Sequence, residues 1–314
     1  MAFFILTLII ILLFLFIVFF ILGKIIFNSL ITRKLHNEKE KYTYLLNNGL
    51  IDEELLSSVH KENISITSVD NLNLVGLLIK NKIKSKKFII LVHGVSIGYV
   101  GSLKYFDIFY KNGFNVLIIN QRRHGESDGM YSTYGYFEKY DLNMWIKYLK
   151  TRFGENIILG LHGESMGAGT VMECLRFDNN IKFAIEDCGY SDLSELVKFQ
   201  ITHNYKKIWY LPLMCGEKLA NLITKTKAKF YFSYVSPIKV ISEVSTPILF
   251  IHGKLDYFVP WYMCENLYNA KKHGYKELYL VDGADHAEAL AVNKELYAKK
   301  VTDFINHVLN ETKR

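Results

Sequence analysis

The N-terminus is almost unbroken apolar sequence: from Ala2 to Leu22 only Thr7 is polar and no residue is charged. At about 1.5 Å per residue, a helix of that length spans roughly 30 Å, about one hydrocarbon core. The stretch exceeds the roughly 7–15 residues of a signal-peptide core. No small-x-small cleavage site follows; Gly23, Lys24, Ile25, Ile26 and Phe27 come next. The pattern predicts an uncleaved membrane anchor over residues 2–23. Residues 24–62 read as a polar, mostly helical connector. Beyond it, Ile64–Ser68 and Leu72–Lys80 alternate as a strand pair joined at Asp70-Asn71. Short apolar runs then recur at Phe88–Val92, Phe114–Ile119, Ile157–Leu161, Phe183–Ile185, Pro247–Ile251 and Glu277–Val281. Segments of helical period separate most of them: Ser102–Lys111, Phe137–Arg152, Met166–Arg176, Trp261–Ala270 and Lys294–Leu309. Strands alternating with helices predict an α/β domain over residues 63–314, its mostly parallel sheet covered on both faces. From residue 191 to 243 no strand run stands out. That interval, rich in leucine, aromatics and lysine, predicts a helical cap insertion.

Charge changes the picture little. With 38 Lys+Arg against 31 Asp+Glu the net charge is +7, and the basic residues are scattered. No Arg-rich or aromatic-basic motif indicates nucleic-acid binding. Lys24, Arg33, Lys34, Lys39 and Lys41 follow the apolar stretch, and no Lys or Arg precedes it. The positive-inside rule places the following domain in the cytoplasm, on a single-pass anchor in the cell membrane. The four cysteines, Cys174, Cys188, Cys215 and Cys264, fit no CxxC or zinc spacing.

Open parallel sheets carry their sites at the carboxyl ends of the strands. Four such ends read His-Gly: His93-Gly94, His124-Gly125, His162-Gly163 and His252-Gly253. These histidines lie on separate strands without a ligand pattern, so they read as structural rather than metal-binding. Gly163-Glu164-Ser165-Met166-Gly167 matches G-x-S-x-G between a strand and a helix, the context that exposes a nucleophilic serine on a tight turn. Gly125-Glu126-Ser127-Asp128-Gly129 matches the same pattern but lacks that context, and Ser127 reads as a loop serine. A serine nucleophile needs a base, and the base an orienting acid. Asp256 and His286 follow the last two strands in the order that G-x-S-x-G hydrolases use. Asp187 is the rival acid and Asp282 a weaker one. The oxyanion of acyl chemistry needs donors, and the backbone amides of Val95 and Met166 stand at the right places in the sequence.

From about residue 63 onward the chain resembles the α/β-hydrolase superfamily. It is most similar to bacterial membrane-anchored hydrolases grouped with serine aminopeptidase-like and monoacylglycerol-lipase-like domains. The strings carrying the resemblance are His93-Gly94, Arg122-Arg123-His124-Gly125-Glu126-Ser127, Gly163–Gly167, Glu186-Asp187-Cys188-Gly189-Tyr190, Pro247–Asp256 with Phe258-Val259-Pro260, and Gly283-Ala284-Asp285-His286. The resemblance implies a triad of Ser165, Asp256 and His286, with Val95 and Met166 donating to the oxyanion. Asn120 departs from the pattern, since relatives commonly carry Asp before this loop. The expected activity is hydrolysis of a carboxylic ester or thioester through an acyl-enzyme, with a small acyl or lipid-like substrate near the membrane and no metal or organic cofactor. Two alternatives are a serine peptidase of aminopeptidase type and a non-catalytic binding module. No acidic cluster that would hold a substrate amine is legible in the sequence.

Overall fold

The computed structural model describes residues 1–311, including all side chains but those of Ala2 and Glu311. The chain forms two compact units, one of residues 1–34 and 193–235, the other of residues 35–192 and 236 onward.

The larger unit holds one sheet of β1 (Lys61–Thr67), β2 (Asn73–Ile79), β3 (Lys87–Val92), β4 (Asn115–Ile119), β5 (Ile158–Glu164), β6 (Phe183–Asp187), β7 (Ile248–Gly253) and β8 (Lys276–Val281). Their spatial order is β1-β2-β4-β3-β5-β6-β7-β8. β1, β2 and β4 pair antiparallel; from β4 to β8 every pairing is parallel. The α-helices among the described residues are α1 (Ala2–Leu30), α2 (Glu38–Asn47), α3 (Glu53–Ser58), α4 (Phe106–Lys111), α5 (Glu138–Phe153), α6 (Met166–Cys174), α7 (Leu193–Asn204), α8 (Tyr210–Lys227), α9 (Pro237–Ile241), α10 (Tyr262–Ala270), α11 (Ala289–Val292) and α12 (Lys294–Glu311).

Strand periodicity of two divides each apolar run between two cores. Ile89 and Leu91 of β3 join Val116, Ile118 and Leu249 in a cluster with Leu45 of α2, Leu56 of α3, Phe109 of α4 and Phe304 of α12. Phe88, Ile90 and Val92 face the other way and join Leu142, Trp145 and Leu149 of α5, Val171 of α6 and Leu267 of α10. Such two-sided burial is why the central strands read as continuous apolar runs.

The polar segment 24–62 divides in the structure. Its first residues continue α1 as far as Leu30. From residue 35 it belongs to the larger unit, where Leu45, Leu50, Ile51, Leu56 and Val59 enter the core. Asn37 caps α2 by accepting from the Lys39 and Glu40 amides, and Asp52 caps α3 by accepting from Leu55.

In the smaller unit, α8 packs along the second half of α1. The first half of α1 has no such cover: Phe3 to Ile17 are all exposed. α1 is long and apolar enough over Phe3–Leu30 to cross a membrane.

Candidate active site

Four strand ends converge on the chemistry. β5 ends at Glu164, and Ser165 makes the turn into α6 with φ 55° and ψ −116°. That backbone is strained for a residue with a side chain, and close packing holds it. A Cβ on Gly163 would lie 2.3 Å from Gly167 O, and one on Gly167 would lie 2.1 Å from Val92 O. Only glycine fits either position, which is the physical content of the motif. The turn is also tied to the next strand, since the Ser165 amide donates to Asp187 O at 2.8 Å.

The loop after β7 supplies Asp256 and the loop after β8 supplies His286. Ser165 Oγ lies 2.9 Å from His286 Nε2, and His286 Nδ1 lies 2.7 Å from Asp256 Oδ2. Three residues far apart in the chain thus form one continuous hydrogen-bonded line. Ser165 and Asp256 are buried, while the His286 side chain keeps 21% of its surface exposed. The Phe258 ring packs on the imidazole, centroid to centroid 4.9 Å.

Asp256 is anchored on both oxygens. Oδ1 accepts from the Phe258 and Val259 amides at 2.9 and 2.8 Å. Oδ2 also meets His252 Nε2 at 3.0 Å, a contact that strand-end reasoning did not foresee. Burial would raise this carboxyl, but hydrogen bonds from His252 and His286 outweigh it and hold it at about 2.

The oxyanion donors expected from sequence lie beside the serine. A Cβ on Gly94 would be 3.4 Å from Ser165 Cβ, so the Gly94–Val95 loop runs against the nucleophile position. Met166 is the first residue of α6, where a helix leaves its amides unsatisfied and favours negative charge. Among the described residues, neither the Val95 nor the Met166 amide makes a hydrogen bond.

The rivals are placed elsewhere. Asp187 Oδ2 lies 3.0 Å from Tyr105 Oη and 2.9 Å from Tyr297 Oη. Burial raises its carboxyl to about 6, helped by the charge of Glu164. Asp282 is exposed and pairs with Lys254 at 2.9 Å. Ser127 is buried: Oγ donates to Asn120 O and accepts from the Val75 amide, each at 2.8 Å. Asn120 accepts the Tyr99 amide through Oδ1 at 2.6 Å, so the amide side chain still braces the loop after β3.

Of the His-Gly histidines, His93 Nε2 accepts from the Gln121 amide and His124 Nε2 from the Ser96 amide, each at 3.0 Å. Burial lowers both, His124 to about 4. They are neutral braces for the loops around the site.

Sequence reasoning missed the charge buried behind the serine. Lys104 Nζ lies 2.5 Å from Glu164 Oε2 and donates to Ala287 O at 2.8 Å. It therefore links the residue before Ser165 to the residue after His286. Tyr105 Oη lies 2.5 Å from the same Glu164 oxygen. The lysine and Tyr105 keep the Glu164 carboxyl low despite its complete burial. A lone lysine in a loop gives no sequence signal for this role; only its partner across the sheet does.

Cys188 also stands here, its Sγ within 4.8 Å of ligand atoms on Asp256 and His286. Burial pushes its thiol well above the ordinary range, so it stays protonated. Asp256 already has its oxygens hydrogen-bonded. A protonated thiol beside a committed carboxylate is a poor cation site.

Comparison with known proteins bears on the fold and the family. Residues 83–185 match the family model described as Serine aminopeptidase, S33. The uncharacterized protein YqkD of Bacillus subtilis is 35% identical over 71% of this chain and 72% of its own length. The chain belongs to the α/β-hydrolase family. This α/β hydrolase also resembles the solved esterase Pf2001 of Pyrococcus furiosus, with TM-score 0.64 and 26% identity over 80% of this chain and 93% of that one. The Pyrococcus horikoshii acylaminoacyl peptidase shares the fold at TM-score 0.58 and 19% identity, over 82% of this chain and 43% of that one.

Proposed function

We propose that this hydrolase is a serine esterase or thioesterase that works through an acyl-enzyme on Ser165. One observation carries the reading: Ser165 Oγ is 2.9 Å from His286 Nε2, whose other nitrogen is 2.7 Å from a buried, ionised Asp256. In this reading Ser165 Oγ bonds to the acyl carbon while its proton passes to His286 Nε2. Asp256 holds the tautomer that leaves Nε2 free to accept, and stabilises the imidazolium that forms. The amides of Val95 and Met166 take the oxyanion. Collapse breaks the bond to the leaving alkoxide or thiolate, which takes the proton from His286. Water, deprotonated by the same imidazole, then attacks the acyl-enzyme and releases the acid.

Residues 2–23 are read as a single-pass anchor. The exposure of Phe3 to Ile17 favours this reading, since a span that length in water is costly and in lipid is not. In this reading the enzyme faces the cytoplasm, which the lysines and arginine that follow the span support. We read residues 63–314 as the hydrolase domain, to whose core α2 and α3 add Leu45, Leu50, Ile51, Leu56 and Val59, with 191–243 as its cap insertion. A membrane-tethered esterase suits acyl or lipid-like substrates.

The test is labelling with a fluorophosphonate alongside a p-nitrophenyl ester series. Wild-type protein should label and turn over, and Ser165→Ala should do neither. A Ser165→Ala variant that still labelled and hydrolysed would end the proposal; a wild type inert to both would make the chain a binding module. The matching family's description gives a second reading, peptidase, which predicts faster turnover of aminoacyl p-nitroanilides than of esters.

A further inference from the structure

The smaller unit shows how deep the insertion sits relative to the anchor helix. α1 and α8 meet at bare backbone. A Cβ on Gly23 would lie 2.8 Å from Leu219 Cβ and 3.2 Å from Gly216 O; one on Gly216 would lie 3.0 Å from Leu22 Cβ. Small residues facing each other let two helices approach this closely, a device common between helices in lipid. Farther along both helices, Lys227 Nζ lies 5.9 Å from the Phe27 ring centroid. Later residues of α1 meet later residues of α8, so the two helices run parallel.

Parallel register fixes a depth. Tyr210 precedes Gly216 by the same interval that Ile17 precedes Gly23, about 9 Å at 1.5 Å per residue. The start of α8 and the 3₁₀ turn Lys207–Trp209 before it therefore lie level with about Phe14 to Ile17 of α1. That level is inside the apolar stretch, well to the N-terminal side of Lys24. There Ile208, Trp209 and Leu211 are 79%, 54% and 75% exposed, and Phe14, Leu15, Phe16 and Ile17 are exposed beside them. Ile208, Trp209 and Leu211 thus stand exposed at the level of the exposed part of α1, next to the exposed Lys206 and Lys207.

The backbone suits lipid as well. A helix start normally leaves four amides bare. Here Trp209 donates to Lys206 O at 2.8 Å, Tyr210 donates to Lys207 O, and Pro212 has no N–H. The start of α8 thus asks little of water.

We infer that the turn Lys207–Trp209 and the first turn of α8 insert into the phospholipid leaflet that α1 enters, as a second membrane contact. The inference rests on the anchor reading of α1. It makes the insertion a membrane-embedded element rather than a water-exposed one.

The test uses full-length protein in phosphatidylcholine–phosphatidylglycerol vesicles, with flotation and tryptophan quenching by acyl-brominated lipid read on the same sample. Trp209 is the exposed tryptophan of the three, Trp145 being buried and Trp261 half-buried. Wild-type protein should float and be quenched, and Trp209→Phe should float but lose most of the quenching. Gly216→Leu, which drives a side chain into Leu22, should float with its Trp209 quenching reduced. Protein that floats without quenching at Trp209 overturns the inference and leaves the anchor standing. Protein that fails to float overturns both.

Discussion

At the scale of single residues, the site separates two carboxylates that sequence order alone left in competition. Asp256 is held ionised by two imidazoles, whereas Asp187 lies between two tyrosine hydroxyls and is pushed up to about 6. In the proposed mechanism, replacing Asp256 with Asn removes the acceptor that fixes the His286 tautomer. Its kcat on a p-nitrophenyl ester should fall by about four orders of magnitude. Asp187→Asn keeps acceptors for Tyr105 and Tyr297 and should stay within about tenfold of wild type, since it touches neither Ser165 Oγ nor His286. The reverse ranking in steady-state kinetics would move the acid to the end of β6. Glu186, next in line, carries a pH dependence. Burial raises it to about 7, against the lowering effect of His252, the Cys264 thiol and the Gly189 amide. A carboxyl raised on folding stabilises the fold while protonated. That stability is present below its unfolded value and is lost as pH rises through about 7. Urea unfolding of detergent-solubilised protein should therefore weaken from pH 5 to pH 8. Glu186→Gln should flatten the slope by up to about 3 kcal/mol. Parallel slopes for the two proteins would show that Glu186 is ionised at no cost.

At the scale of elements, periodicity made the central strands and the helices between them legible, because burial on both faces leaves continuous apolar runs. It was weaker where polar residues do structural work. α2 and α3 read as connector because Leu45, Leu50, Ile51, Leu56 and Val59 are spread thinly among charges, yet all five join the core. The segment before α4 kept a helical period but opens as a 3₁₀ turn over Tyr99–Tyr105. The repeated G-x-S-x-G pattern shows what context adds. One copy is a strand-to-helix turn at positive φ. The other is a loop whose serine braces β2 against the end of β4 through Val75 and Asn120. Its role is mechanical, so Ser127→Ala should label with fluorophosphonate as wild type does while losing roughly 1–3 kcal/mol of stability for the unpaired groups. A stable but unlabelled Ser127→Ala protein would contradict this division of labour. The Lys104–Glu164 pair was invisible in sequence because its partners are 60 residues apart and meet only across the sheet.

At the scale of the whole molecule, the apolar N-terminal stretch is not one object. Residues 3–17 are exposed throughout, while Gly23, Phe27 and Ile31 are buried in the smaller unit. The first part is free to be solvated by lipid; the later part is core for α8. A cut should therefore be judged by what it uncovers. Removing residues 1–17 leaves the Gly23–Gly216 crossing in place. That protein should lose resistance to alkaline carbonate extraction, keep its turnover of short-chain p-nitrophenyl esters, and still bind anionic vesicles weakly through Ile208, Trp209 and Leu211. Changing Ile208 and Leu211 to Glu in the shortened chain should abolish the remaining binding, because each charge would have to leave water for hydrocarbon. Removing residues 1–34 instead strips the partner from the small-residue face of α8, and the product should aggregate on size-exclusion chromatography although the larger unit retains Ser165, Asp256 and His286. If the longer deletion is monodisperse and the shorter one aggregates, α1 does not serve as core for α8. If the shorter chain resists carbonate, residues 1–17 are not what holds the protein in the membrane.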